Sequence, residues 1–223
     1  MTRQHALREL AVRQDAECAR VFELADLWQH LCDGSWQVRD TFSTEERHLA
    51  IVHISLGGAA RPLHPRKLRV LESLLLGTAP KVVAIDSQRS LSTVTACAQD
   101  CLREMGLEGR ESRSTVLLTM SARASLRPDT GPRQGRMAEL AAAGEGCFVV
   151  SALRPDLKLP VELSLAEAAV LRSLLAGHTY AQISGARATS PRTVANQLTT
   201  AFRKLGVSGR RATIDYLISA SAR

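Results

Sequence analysis

The 223-residue sequence predicts a mainly α chain, built as two tandem four-helix units with an N-terminal helix and a few short strands. Three observations carry that expectation. Hydrophobic residues make up 45% of the chain but aromatic residues only 4%, so Leu, Val, Ile and Ala must supply the core. Leu and Ala are also strong helix formers. A helical stretch recurs at a fixed spacing of 100 residues. Finally, Ser, Pro and Gly stand where helices would start and stop.

The recurrence needs no gap. Adding 100 to Val70, Leu71, Ser73, Leu74, Leu75 and Gly77 reaches identical residues at 170, 171, 173, 174, 175 and 177. The same shift carries Ser90, Thr93, Val94, Arg103, Gly106, Gly109 and Arg110 onto Ser190, Thr193, Val194, Arg203, Gly206, Gly209 and Arg210. Leucines align by chance; glycines, a Ser-x-x-Thr-Val and a Gly-x-x-Gly-Arg in one register do not. The units are therefore drawn at 63–123 and 163–223.

Around them, 1–62 reads as a helix plus short strands. Leu7, Leu10, Ala11, Cys18, Val21, Phe22, Ala25, Trp28 and Leu31 recur at helical spacing over 2–33, and Asp33-Gly34 stops the run. Residues 36–42 and 48–56 read as strands joined by a turn at 43–46, closed by Gly57-Gly58. Residues 124–162 read as a linker with one short strand. Its 125–135 stretch is rich in Pro, Gly and Arg, 147–153 is the strand, and Pro155 and Pro160 keep 154–160 extended.

Within the last unit, Ser164 caps a helix from Leu165 to about Ala176. Glu167 completes a capping box, and Gly177 ends the helix. A second helix follows Thr179 with Ile183 as its anchor. Ser190-Pro191 opens a third, an N-cap followed by Pro at the first helical position, which runs to Leu205 and ends at Gly206. Its buried side is Val194, Leu198, Ala201 and Leu205. At 100° per residue, Arg192, Asn196, Thr199 and Arg203 fall on the other side. Ser208 caps a fourth helix with Ile214, Leu217 and Ile218 inward.

Charge points to the same region. The formal net charge is +7 and the pI about 9.6. Residues 163–223 hold eight Lys/Arg and two Asp/Glu, a net of +6, whereas 1–62 hold seven and nine, a net of −2. A basic unit with a guanidinium- and amide-bearing helix face suits phosphates and base edges.

Other chemistries find little support. The five cysteines (Cys18, Cys32, Cys97, Cys101, Cys147) contain no Cys-x-x-Cys pair, so neither zinc nor a disulfide framework is indicated. No nucleophile elbow or phosphate-binding glycine loop appears, so no catalytic residue, metal site or cofactor is assigned and the chain reads as a non-enzyme. Cysteine usage without a disulfide framework makes a reducing, cytoplasmic setting the expectation; no apolar run approaches the ~20 residues of a membrane span, and no signal peptide is visible.

The ordered set Leu165-x-Glu167, Val170-Leu171, Leu174-Leu175-Ala176-x-Gly177, Ile183, Ser190-x-x-Thr193-Val194, Lys204-Leu205-Gly206-Val207 and Arg210 resembles the LuxR-type helix-turn-helix family of bacterial transcription regulators. The stretch 63–123 resembles it as a divergent second copy. The fold implied is thus two tandem LuxR-like helix-turn-helix units. The resemblance implies that the third helix enters the major groove of double-stranded DNA, that Ser190, Arg192, Thr193, Asn196, Gln197, Thr200, Arg203 and Lys204 contact it, and that the fourth helix supports pairing of units. Thr199 joins this set through the helix-face argument, and Arg210 as part of the matched pattern. Two positions depart from the family, Ala195 in place of a Lys and Gln197 in place of a frequent His.

In the first copy the corresponding face is Ser92, Ala96, Gln99 and Arg103, with Cys97, Asp100 and Glu104 beside it. Acidic groups there repel phosphate, so this copy is expected to act as scaffold. A homodimer and an internal pseudo-dimer through the fourth helices are both compatible with the sequence, as are two independent beads. Two rival functions remain. One is a protein-interaction regulator (an adaptor or anti-activator) with Leu7, Leu10, Phe22, Trp28 and Leu31 as a dimer seam or as packing onto the first copy. The other is an atypical response regulator, in which residues 81–86 form a buried strand ending in the Asp86 carboxylate.

Overall fold

The computed structural model describes residues 2–54, 61–109, 111–128, 132–155, 159–160 and 162–221. Gly57, Gly58, Arg110, Asp156, Leu157 and Lys158, which enter the expectations above, lie outside that set.

The largest departure from the mainly α expectation is a five-stranded antiparallel sheet. Strands β1 (Arg20–Glu23), β2 (Trp36–Ser43), β3 (Arg47–Ile54), β4 (Gln134–Glu139) and β5 (Cys147–Leu153) stand in the order β1-β4-β5-β3-β2. Of the 124–162 stretch, the strand expected at 147–153 is the central β5, and β4 beside it is a strand the sequence does not indicate. Four helices, α3–α6, are inserted between β3 and β4.

The sheet is covered on both faces, and the alternation of side chains sorts them. Leu49, Ile51, Ala138 and Val149 join Ala11 of α1 (Arg3–Glu17) in one cluster, with Leu7 and Leu10 against it. Ala50, Val52, Met137, Val150 and Ala152 face the other way, into a larger core with α2 (Leu24–Cys32). The single helix expected over 2–33 is therefore two helices on opposite faces, separated by β1. A turn at 18–19 lets the chain pass through the sheet edge. Of the residues expected as a seam or as internal packing, Trp28 and Leu31 are buried in this core with Phe22 against it, and Leu7 and Leu10 pack on the other face of the sheet.

Polar contacts lock α1 in place. Arg8 donates twice to the Asp40 carboxylate, at 2.7 and 2.9 Å. Arg47 Nε lies 3.2 Å from Asp15 and 2.8 Å from Ser151 Oγ, and Ser151 Oγ donates to Asp15. These buried groups are satisfied by one another, as burial of charge requires.

The first helical unit comprises α3 (Pro65–Leu75), α4 (Pro80–Asp86), α5 (Leu91–Glu104) and α6 (Glu111–Leu126). The second comprises α7 (Leu165–Leu175), α8 (Tyr180–Ala186), α9 (Pro191–Leu205) and α10 (Arg210–Ser221). Their breaks recur at the same spacing. Gly77 and Gly177 have φ of 86° and 99°, and Gly106 and Gly206 have 82° and 66°. Two non-glycine residues with positive φ also correspond, Gln88 at 53° and Ala188 at 49°. Residues 81–86 are helix α4 with Asp86 exposed, not a buried strand ending in a carboxylate. A short Val-Val-Ala-Ile run has no period to distinguish the two.

The first unit is fastened to the sheet through its α5–α6 turn. Val38 N donates to Met105 O at 2.8 Å across the outer edge of β2. Gly106 makes this approach possible, because a Cβ there would stand 2.3 Å from Val38 O. Residues of α3, α5 and α6 then share one core with α2 and the sheet.

Candidate nucleic-acid interface

The second unit has a separate core. Val170, Leu171 and Leu174 of α7, Ile183 of α8, and Val194, Leu198, Ala201 and Leu205 of α9 form it. Helix ends are set locally, as the sequence predicts. Ser164 accepts from Glu167 N, and Glu167 accepts in turn from Ser164 N at 2.7 Å. Thr179 and Gln182 form a second capping box before α8. Ser190 Oγ accepts from Thr193 N at 3.0 Å, Pro191 fills the first helical position, and Gly206 closes α9 in the left-handed region.

With its inner stripe spent on that core, α9 turns its polar side outward. Arg192, Thr193, Asn196, Thr199 and Arg203 are all exposed, as is the cap Ser190, while Gln197 and Thr200 are half-buried at the margin. Neither Arg192 nor Arg203 has an ion-pair partner among the described residues. Eleven residues at ~1.5 Å each place these two guanidinium groups roughly 16 Å apart along the helix. Between them lie an amide able to hydrogen-bond in both directions and a hydroxyl. Thr193 Oγ1 is engaged with Ser190 Oγ, and Thr199 Oγ1 donates to Ala195 O.

Two members of the expected contact set are placed differently. Lys204 Nζ donates to Glu167 Oε2 at 2.7 Å and to Glu162 O at 3.1 Å, so its charge ties α9 to the start of α7. The Lys204 ammonium, followed by the Ser164 backbone N–H, holds the Glu167 carboxyl below the ordinary carboxylate range. Arg210 Nη2 donates to Leu175 O, the last turn of α7, at 3.3 Å. Burial, and then the neighbouring Arg211 charge, lower Arg210 to about 10.

Family comparison bears on residues 161–217, which match the model for bacterial regulatory proteins of the luxR family. The match supports a LuxR-type helix-turn-helix over this segment. The LuxR-type domain is a DNA-binding module typical of transcription regulators, and the match runs from just before α7 into α10. It does not include 63–123. No curated protein and no solved structure matches the chain. Among the described residues no helix is long and apolar enough to cross a membrane, and no cluster of His, Cys, Asp or Glu could hold a metal.

The face of α5 offers a contrast. Ser92, Ala96, Gln99 and Arg103 are exposed there, but its charges are internally paired. Lys67 Nζ is 2.9 Å from Asp100 and 3.7 Å from Glu104, and Arg103 is 2.5 Å from Asp100. The Lys67 and Arg103 cations hold the Asp100 carboxyl below its usual range. Cys97, which stands where Gln197 does, is buried and accepts from Arg89. The α3–α5 pair Lys67/Glu104 is the α7–α9 pair Glu167/Lys204 with its charges exchanged. That exchange is readable in the sequence by comparing 67 with 167 and 104 with 204 together, and reading 104 against 204 alone misses it.

Proposed function

We propose that the chain is a sequence-specific, bacterial, cytoplasmic transcription regulator that reads the major groove of double-stranded DNA with α9. The observation that carries this is an exposed helix face with two guanidinium groups free of ion pairs among the described residues and an amide between them, in the segment that matches the luxR-family model. Arg192, Asn196, Thr199 and Arg203 are the base- and phosphate-facing groups, flanked by Ser190, Thr193, Gln197 and Thr200. Lys204 and Arg210 act beneath that face, holding α9 and the α10 turn against α7.

Helices α3–α6 are a divergent helix-turn-helix copy that has become scaffold. Matched helix starts, the corresponding positive-φ pair Gln88 and Ala188, and the charge-exchanged ion pair support common descent. Self-neutralisation of Lys67 and Arg103 by Asp100 and Glu104 supports loss of phosphate affinity. The response-regulator alternative loses its main support, because Asp86 ends an exposed helix turn. Mobility shift of fragmented genomic DNA at two salt concentrations tests the reading. Retention of a specific subset, weakened by salt, is expected. Retention of none favours the adaptor alternative.

A further inference from the structure

Two cavities open side by side along the junction of the two helical units. The first, of about 330 Å³, lies between the α3–α4 turn, at Thr78 and Pro80, and the chain entering α10, at Ser208, Arg210 and Arg211. The second, of about 270 Å³, shares Leu74, Pro80 and Arg211 with it and continues along α5, over Ala98 and Leu102. The shared residues make them two lobes of one cleft, of the size of small-molecule sites, which favour such interfaces. Ala98 helps to open the second lobe. The matching position of the second unit holds the much larger Leu198, which fills its own core.

The lobes differ in chemistry. Leu74, Pro80, Ala98 and Leu102 give the second an apolar lining. The first gathers two cations. Burial, and then the Arg211 charge, lower Arg210 to about 10. Two guanidinium groups are thus held close together in a partly withdrawn place, a repulsion that an anion beside them relieves. No carboxylate lines either lobe among the described residues. Arg210 already donates to the Leu175 carbonyl, and a guanidinium with five N–H donors can hold an oxyanion besides such a contact.

From this we infer that the cleft binds a small organic oxyanion, its acid group beside Arg210 and Arg211 and its apolar body along Ala98 and Leu102. The Ser208 and Thr78 hydroxyls stand beside the same lobe as further donors. A molecule held this way touches α3–α5 of the first unit and the start of α10 in the second. It bridges the two and stabilises their present arrangement. The site is independent of whether α9 reads DNA.

Anilinonaphthalene sulfonate, one oxyanion on an apolar body, is the probe. Titrated into the full chain, it should gain fluorescence saturably at a single site and raise the melting temperature. Arg211→Met removes a cation, and Ala98→Leu fills the second lobe with the residue of the matching position. Each should weaken that binding roughly ten-fold or more, with cooperative melting retained; where one variant does not fold, the other decides. Sulfate, which lacks the body, and phenylnaphthylamine, which lacks the charge, should each bind far more weakly. No saturable binding, or binding unchanged in the folded variants, overturns the inference. Phenylnaphthylamine binding as tightly as the sulfonate would reduce the cleft to an apolar surface, and sulfate binding as tightly would reduce it to an adventitious ion only; either result also overturns it.

Discussion

Removing the two exposed guanidinium groups of α9 together, as Arg192→Ala with Arg203→Ala, gives the most direct measure of what this helix does. Each cation that neutralises a phosphate contributes about 0.9 to the slope of log affinity against log salt. Two independent contacts therefore carry about 1.8 of that slope. Between 50 and 200 mM salt, a change of about 0.6 in log concentration, each contact weakens binding by roughly 3.5-fold and the pair by about 12-fold. The double variant should lose that salt sensitivity as well as affinity. Both groups are exposed and unpaired, so their removal disturbs no internal contact and the fold should be unchanged. Fluorescence anisotropy on a mixed-sequence duplex suffices, because the electrostatic part of binding does not depend on sequence. Arg103→Ala is the matched control. Its guanidinium already sits on Asp100, so its slope should stay at the wild-type value. Equal slopes for the double variant and wild type, or an equal drop at Arg103, would refute the assignment of α9 as the DNA-facing element.

Three further outcomes are expected. Leu198→Ala empties the centre of the α7–α9 core, where Leu198 is fully buried, and should cost roughly 2–5 kcal/mol of unfolding free energy in urea titration; a loss below about 1 kcal/mol would contradict the packing described. Burial, and then the Arg154 charge, push His48 down from 6.5 to about 4, so the folded chain binds this proton less readily than the unfolded one. The corresponding stability is present above pH 6.5 and drains away as pH falls towards 4, on the order of 3 kcal/mol in all, and pH-dependent denaturation of His48→Gln should lack that component. Lys204→Glu should lower the melting temperature by setting two carboxylates together at the start of α7, and adding Glu167→Lys should recover part of the loss by installing the polarity seen at Lys67 and Glu104, the remainder being the lost Ser164–Glu167 capping box; no recovery at all would show that the two sites are not equivalent.

Much of the LuxR-type unit is legible in the sequence because its punctuation is local. Ser164 with Glu167, Ser190 with Pro191, and Gly206 each act within a few residues, so spacing alone locates the ends of α7 and α9. The sheet is legible only in part: 36–42, 48–56 and 147–153 read as strands in the sequence and correspond to β2, β3 and β5, but β1, β4 and the pairing do not show. β1 pairs with β4 across more than a hundred residues, Glu23 lying opposite Gln134, and no local signal announces such a partner. β4 carries Gly, Arg and Glu within six residues and reads as loop. Its Gly135 is there because a Cβ would stand 2.4 Å from Ser151 O, a requirement visible only once β5 lies beside it. β1 is hidden in a helical series because Val21 and Phe22 continue the spacing of the residues on either side. At the site, exposure of Arg192 and Arg203 follows from the helix wheel. The contacts that Lys204 and Arg210 make with α7 and the residues before it do not, since they depend on where α7 begins and ends in space.

The insertion of α3–α6 between β3 and β4 also dictates an order of assembly. β3 is buried along most of its length, and its second neighbour, β5, starts at Cys147. A nascent chain that has emerged only through Ile54 holds a β2–β3 hairpin whose inner side has nothing to pair with. It stays an open template for unwanted strand addition until some ninety further residues arrive. Helices form faster than distant strand pairs, so the inserted helices can compact first and shorten the gap that β4 and β5 must bridge. Synthesis that stalls inside the inserted unit should therefore yield aggregates seeded by β3, whereas stalling after Leu153 should release a chain whose sheet is already closed.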